Sequence, residues 1–420
     1  MPSFCFLTIG CQMNVSDSEF YSNILLESGF VEVPEEEADI VFINTCAVRE
    51  GSVHKLDSKL GELYKRKRQT GLPKIGVVGC VPAIDLKSFK KRHKQVDFVL
   101  GTYHDRESMQ GALEEALGFE LEHGVSPRAS SVSVFVPITT GCDSFCTYCI
   151  VPYTRGRLVS RGVEEILSEA RSYIESGARE IVLLGQNVNA YGLDRGEKDT
   201  FVDLVQKVSE LPGVLRVRFI TSHPKDMNEE ILLRLREIKN LAWFFHLPIQ
   251  AGSDEVLSRM NRRYTVEDYK KLVVNVRKIF PGAGVTTDVI VGFPGETEEQ
   301  FEQTMALFRE LRFEQAYMAM YSQRPKTPAA NFSDQVDREE LHRRVSAIVE
   351  QQKRIAEQVG ADYVGRVLSV LVENVEDEYS FGLSETGRLV KIKGQHEKGT
   401  IVKVKISKPG MRSLEGEPVQ

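Results

Sequence analysis

Three cysteines crowd the run Gly141-Cys142-Asp143-Ser144-Phe145-Cys146-Thr147-Tyr148-Cys149, a Cys-x3-Cys-x2-Cys spacing. Thiolates this close can each hold one iron of a four-iron cluster and leave the fourth iron without a protein ligand. An open iron suits reductive cleavage of S-adenosyl-L-methionine. The amino and carboxylate groups of that molecule chelate the iron, one electron breaks the C–S bond, and a 5′-deoxyadenosyl radical forms. A structural zinc ion would want four ligands, and no nearby His or Cys supplies the fourth.

Cys11, Cys46 and Cys80 make a second set with no short motif. Each stands at the C-terminal end of a strand-like run, where the chain turns toward a helix. In a parallel sheet such ends lie along one edge, where ligands bind. Three cysteines at equivalent turns can converge on a second cluster with one open iron; the alternative is that strand ends simply tolerate a small residue. Cys5 lies at the other end of its strand, roughly 20 Å from Cys11 at about 3.3 Å per residue, and reads as a small buried hydrophobe.

Polar residues cluster at other strand ends: Leu184–Asn189, His246–Ser253 and Thr287–Glu296. Each alone reads as a turn with a helix cap; three at one rim point to a cofactor pocket. With Tyr148 of the cysteine loop they supply Gln186, Asn187, Gln250 and Asp288 as candidate contacts to S-adenosyl-L-methionine. Arg155 and Arg157, with Arg161, follow the loop directly. They suit bidentate contact with RNA phosphates, or pairing with carboxylates.

The elements that must position these groups are of three kinds. Residues 1–120 alternate strand (Cys5–Gly10, Asp39–Cys46, Lys74–Cys80, Val96–Leu100) with helix (Ser16–Ser28), which predicts an α/β domain with a parallel sheet. Glu122–Ser133 reads as a linker. Residues 128–356 repeat strand then helix about six times, too few for a complete eight-stranded barrel, so a partial (β/α)6 barrel is expected, its site at the C-terminal strand ends. After a polar helix over Asp337–Val359, residues 359–420 carry short β runs (Val367–Val375, Phe381–Ile392, Thr400–Ile406) that predict a small all-β barrel. Seven cysteines, an odd number, exclude a full disulfide framework and favour metal binding in a reducing compartment. No apolar run reaches the roughly 18 residues of a membrane helix, and the N-terminus has no basic, long-apolar signal; a cytoplasmic protein without membrane contact is expected. The net charge of −6 speaks weakly against nucleic acid, yet hides basic runs at Lys65–Arg68 and Lys90–Lys94.

The wording of these motifs resembles the radical SAM methylthiotransferases over essentially the whole chain, most closely their bacterial tRNA-acting branch. Gly10-Cys11-Gln12-Met13-Asn14, Asn44-Thr45-Cys46-Ala47-Val48-Arg49 and Gly79-Cys80 are similar to the three N-terminal cysteine motifs. Cys146-Thr147-Tyr148-Cys149-Ile150-Val151-Pro152-Tyr153-Thr154-Arg155-Gly156-Arg157 is similar to the cluster loop, and Gly185–Gly192 to the signature after the second strand. The C-terminal module looks like a TRAM domain, an RNA-binding barrel. The resemblance implies two 4Fe-4S clusters, a radical-generating one on Cys142, Cys146 and Cys149 and an auxiliary, sulfur-donating one on Cys11, Cys46 and Cys80. It implies 2-methylthiolation of N6-isopentenyladenosine at position 37, in the anticodon stem-loop of tRNA. One S-adenosyl-L-methionine supplies the radical and a second the methyl group, with electrons from a separate reducing donor.

Three other readings stand beside it: methylthiolation of a ribosomal-protein aspartate, methylthiolation of N6-threonylcarbamoyladenosine in tRNA, and a non-catalytic iron–sulfur RNA-binding protein. The wording at Tyr153-Thr154-Arg155 and Gln186–Asn189 disfavours the first two, and the open coordination site argues against the third. Anaerobically reconstituted protein is expected to hold about eight irons, and Cys5→Ala to leave that content unchanged. Close to four irons in a fully reconstituted, homogeneous sample would remove the second cluster.

Overall fold

The computed structural model describes residues 1–48, 50–122, 129, 131–197 and 200–419. Arg49 and most of the linker read over Glu122–Ser133 lie outside the described residues. The N-terminal sheet has five parallel strands in the order Val31–Glu32, Ser3–Ile9, Ile40–Thr45, Lys74–Gly79, Phe98–Val99. Ile40–Thr45 is buried along its whole length, as a central parallel strand covered on both faces must be. Helices Gln12–Glu27 and Arg106–Leu117 cover one face through Tyr21, Ile24, Leu25, Met109 and Leu113. Leu56, Leu60 and Leu63 of helix Glu50–Thr70, with Phe89 of Leu86–Arg92, cover the other.

The central region carries two three-stranded parallel sheets. One holds Ser133–Pro137, Glu180–Leu184 and Arg216–Phe219; the other Phe244–His246, Gly284–Val291 and Gln315–Met320. Backbone bonds from Val217 N to the Asn240 carbonyl (2.9 Å) and from Ala242 N to the Val217 carbonyl (2.8 Å) join them, giving the six-stranded partial barrel. The period of two in a strand sorts its side chains. Val134, Val136, Ile181, Leu183, Val217 and Phe219 join the large core under the helices. The alternate residues Phe135, Val182, Leu184 and Ile220 turn inward, where Met13 of the N-terminal domain packs on them. Helix Gln12–Glu27 thus lies along the Ser133–Pro137 edge of the barrel.

Helix Arg338–Ala361, capped by Asp337, leads to a closed five-stranded barrel ordered Val367–Glu376, Tyr379–Ser384, Leu389–Lys393, Ser413–Pro418, Ile401–Lys408. The run Phe381–Ile392, read as one segment, is two strands, because the chain turns back at Gly387 with φ +78°. The module docks on the N-terminal ends of the central strands. Arg216 donates to the Leu383 carbonyl (2.8 Å), and Ser133 Oγ to Glu373 (2.7 Å). No helix among the described residues is long and apolar enough to cross a membrane.

This docking is close at Gly284, where a Cβ would lie 2.2 Å from the Thr386 carbonyl oxygen. Gly284→Ala is therefore expected to cost about 1–3 kcal/mol by overpacking. Thermal unfolding should show a lowered midpoint, and limited proteolysis faster release of the C-terminal module. An unchanged midpoint would mean that the module is held elsewhere.

Candidate active site

The Cys142–Cys149 loop is shaped by backbone and neighbours rather than by regular structure. A short antiparallel pair, Thr139–Thr140 with Val159–Ser160, closes its base. Gly141 opens it with φ +78°, and a Cβ there would lie 2.0 Å from the Arg157 carbonyl oxygen, so only glycine fits. Gly141 N donates to Gln186 Oε1 (2.7 Å), Cys149 N to the Cys146 carbonyl (3.0 Å), and Asn261 Nδ2 to the Phe145 carbonyl (3.0 Å). Arg262, buried, points one guanidinium nitrogen at Cys146 Sγ (3.4 Å) and another at the Pro248 carbonyl (2.7 Å).

Burial, with the neighbouring Cys146 and Cys142, pushes the Cys149 thiol up to about 12, and burial raises Cys142 too. Thiols held this way ionise readily only onto a cation, which is how iron or zinc binding couples to proton release. Among the described residues no three His, Cys, Asp or Glu are placed to share a single metal ion. Cluster ligands each hold a different iron and need not share a point.

The second set follows from sheet register. Ile9, Thr45 and Gly79 stand side by side across the three central strands, so Cys11, Cys46 and Cys80 leave the sheet along one edge. Cys46 N donates to the Ile9 carbonyl (3.2 Å). Cys11 is the N-cap of helix Gln12–Glu27 and Cys80 the first residue of Cys80–Ala83. Asn14 and Asn44 clamp the two turns together: Asn14 Nδ2 donates to Asn44 Oδ1 (2.8 Å), and Asn44 Nδ2 to the Asn14 carbonyl (2.9 Å). A hydrogen bond from Cys46, with the Arg155 charge and the Asn14 and Met13 N–H groups, lowers the Cys11 thiol against the cost of burial. The same contact, with burial, raises Cys46, and the Cys80 charge adds to it. The three cysteines thus leave the ends of three adjacent strands, with Cys46 on the middle one. Cys5 is six residues away, paired with Val41 in mid-sheet, its thiol raised first by burial.

Both sets face the seam between the N-terminal domain and the barrel. Ile150 and Tyr153, just past Cys149, pack with Cys80 and Ala47. Of the two readings open for Arg155, contact with an RNA phosphate or pairing with a carboxylate, the structure has the second. Arg155 is 4% exposed and bridges to Asp17 at 2.8 Å, so it cannot meet an RNA backbone. Its partner is 138 residues distant in sequence, beyond the reach of any local pattern. Arg161 likewise is buried against Glu165 and Glu169. Arg157 remains outward, 72% exposed, beside Asp143 (2.7 Å) and over the Phe145 ring.

The candidate S-adenosyl-L-methionine contacts are drawn to one rim, with different tasks. Gln186 holds the cysteine loop, as above. Asn187 Nδ2 donates to Asp226 (2.8 Å) and its Oδ1 accepts from His223 N (3.0 Å). Asp288 faces His246 Nε2 (3.3 Å). Tyr148 packs against the main core, beside Arg262 and Cys146. Gln250, with φ +73°, exchanges backbone bonds with Asp288 and Ile290, and its Oε1 is buried without a hydrogen-bond partner. Three more such orphans stand at this rim: Thr139 Oγ1, Ser222 Oγ and His223 Nε2. Buried polar atoms want partners, and four unpaired atoms at strand ends fit a polar ligand seated among them.

His223, Ser222 and Arg262 are site residues the sequence reading missed. His223 Nδ1 accepts from Lys225 N (3.2 Å), which assigns the proton to Nε2 in the neutral ring. Burial, then the Arg262 charge, pushes its pKa down to about 2, so the ring presents a donor. The available signal was Thr221-Ser222-His223 directly after a strand, the same rim position as the turns that were read.

Residues 136–308 match the model of the Radical SAM superfamily, and residues 3–101 that of Uncharacterized protein family UPF0004. The fold is similar to that of a radical S-adenosylmethionine methyltransferase from Kitasatospora setae, with TM-score 0.57 and 12% identity over 79% of this chain and 75% of that one. The tRNA-2-methylthio-N(6)-dimethylallyladenosine synthase of Acetivibrio thermocellus is 39% identical over 99% of this chain and 91% of its own. That of Carboxydothermus hydrogenoformans is 41% identical over 99% of this chain and 98% of its own. A likeness of this depth, end to end, places the chain in a family: it belongs to the tRNA-2-methylthio-N(6)-dimethylallyladenosine synthases, enzymes of the radical SAM superfamily.

Proposed function

We propose that this chain adds a methylthio group at C2 of N6-isopentenyladenosine at position 37 of tRNA, in the cytoplasm, using S-adenosyl-L-methionine and two 4Fe-4S clusters. Cys142, Cys146 and Cys149 hold the radical-generating cluster and Cys11, Cys46 and Cys80 the auxiliary one. The three parts are residues 1–120 for the auxiliary site, 128–356 for the radical core, and 359–420 as a TRAM module for RNA. The observation that carries this reading is that two separate triads of cysteines face one seam between domains. The family's name gives no support to the ribosomal-protein or threonylcarbamoyladenosine alternatives.

When bound, the clusters supply one-electron chemistry and a seat for the transferred sulfur. The chain's own residues orient and exclude. Gln250, Ser222 and the His223 Nε2–H line the seat of S-adenosyl-L-methionine, with Tyr148, Asn187 and Asp288 around it. Met13 against Val182 and Leu184 closes the seam with apolar contact and keeps bulk water from the reacting atoms. The anticodon stem-loop of tRNA is the RNA partner, and a separate reducing donor supplies the electrons.

The experiment that tests the function is nucleoside analysis of tRNA from a strain lacking this protein. Loss of the 2-methylthio group from the isopentenylated adenosine supports it; an unchanged nucleoside profile overturns it. The two sites should also separate. With Cys11, Cys46 and Cys80 all changed to Ala, the protein should still cleave S-adenosyl-L-methionine to 5′-deoxyadenosine and make no methylthiolated tRNA. With Cys142, Cys146 and Cys149 changed, 5′-deoxyadenosine should disappear. Full product from the first variant would sink the assignment.

Arg157 is the one arginine of the cluster loop left to meet RNA. Arg157→Ala should weaken tRNA binding at low salt, and the loss should shrink as salt rises, because a phosphate contact is tied to counterion release. An unaltered low-salt affinity would leave Arg157 to its pairing with Asp143.

A further inference from the structure

Arg155 follows Cys149 by six residues, yet its charge lies in the other domain's site. It caps the short helix Val151–Thr154, which packs on the helix that Cys80 begins. From there the guanidinium is buried and donates to Asp17 Oδ2 at 2.8 Å. Asp17 belongs to helix Gln12–Glu27, which Cys11 caps. Asp17 lies six residues along that helix from Cys11, about 9 Å at 1.5 Å per residue. Ile150, at the start of the short helix, and Tyr153 within it pack with Cys80. The radical-site loop thus delivers one cation to the auxiliary triad, and a carboxylate from the auxiliary side meets it.

Resting on the reading of Cys11, Cys46 and Cys80 as cluster ligands, we propose that Arg155 is a positioning residue that makes the auxiliary cluster easier to reduce, and that Asp17 sets how much of its charge is felt. Three thiolates give such a cluster net negative charge, and reduction adds one more. Cluster potentials respond to nearby charge and burial, and a cation in a buried, weakly screened place favours the more negative state. Asp17 holds the guanidinium in place and offsets part of its field. A bridge across the seam therefore does two things at once: it fixes the spacing of the two sites and biases one of them.

Breaking the pair from either side separates field from structure. A purely structural bridge would make Arg155→Met and Asp17→Asn act alike. A field predicts opposite signs. The test is a redox titration followed by electron paramagnetic resonance on full-length protein carrying both clusters, repeated with Cys142, Cys146 and Cys149 changed to Ala so that a single cluster titrates. Arg155→Met should lower the auxiliary midpoint by about 60 mV, a tenfold change in the one-electron reduction equilibrium. Asp17→Asn should raise it by about 30 mV, roughly threefold. Arg155→Lys, which keeps the charge, should restore most of the loss. In the protein with both clusters, the other midpoint should stay where it is.

If Asp17→Asn lowers the midpoint or leaves it unmoved, the inference is overturned, even where Arg155→Met fails to load its cluster. If the unaltered protein holds only about four irons, the two-cluster reading itself has failed, which is a different result from two clusters with unmoved midpoints.

Discussion

Helix Gln12–Glu27 is the constraint on which the rest of the chemistry depends, because it belongs to both sites at once. Its N-cap is Cys11. Two residues on, Met13 enters the inner face of the barrel against Val182 and Leu184, and Asn14 clamps the neighbouring turn at Asn44. Asp17 then takes Arg155 from the cluster loop. A helix pinned at four successive points has little freedom to rotate or slide, since each contact lies within about two turns of 3.6 residues. The placement of one thiol triad against the other is therefore set by a single rigid element rather than by loops.

Buried charge recurs along the same seam. Glu169 of helix Val163–Glu175 takes Arg106 from the N-terminal domain (3.0 Å) and Arg161 from the strand end beside the cluster loop (2.6 Å). Such pairs are weak sources of stability, because desolvation offsets much of the attraction. Their use here is geometric. An apolar seam alone tolerates sliding, whereas an ion pair that slips by a few ångströms leaves two charges buried without partners. Met13 closes the seam, and the arginines fix its register.

What was legible in the sequence is what local pattern controls. The strand runs ending at Cys11, Cys46 and Cys80 were readable because central parallel strands are short and continuously apolar, and equivalent ends of such strands must share an edge. The strand Val31–Glu32 was not, since it has two residues, both exposed, and is ordered only by its neighbour Ser3–Ile9. The last barrel strand, Ser413–Pro418, was missed because Gly416 and Pro418 dilute its pattern. Among the site residues, cysteine spacing announced its own chemistry. Arg155 did not: an arginine among arginines after a cysteine loop suits a phosphate as well as a carboxylate, and the choice was made by Asp17, whose proximity exists only once two domains have docked. Arg262 was hidden for a different reason: it lies in the same domain as the sulfur it faces but 116 residues away in sequence.

The two triads consequently meet positive charge in different states. Arg262 is anchored by neutral groups, the Pro248 carbonyl and the Tyr264 hydroxyl, and turns toward Cys146. Burial pushes Tyr264 up to about 12, so its hydroxyl adds no negative charge at neutral pH. The charge of Arg262 is then directed at the Cys142–Cys149 loop without an attached carboxylate. Arg155 comes with a carboxylate attached, and its field at Cys11 and Cys80 is that of a pair rather than of an ion. Two triads of cysteines would otherwise be electrostatically alike. The fold distinguishes them by what stands behind each arginine, and this gives two similar cysteine triads on one chain a physical basis for unequal behaviour.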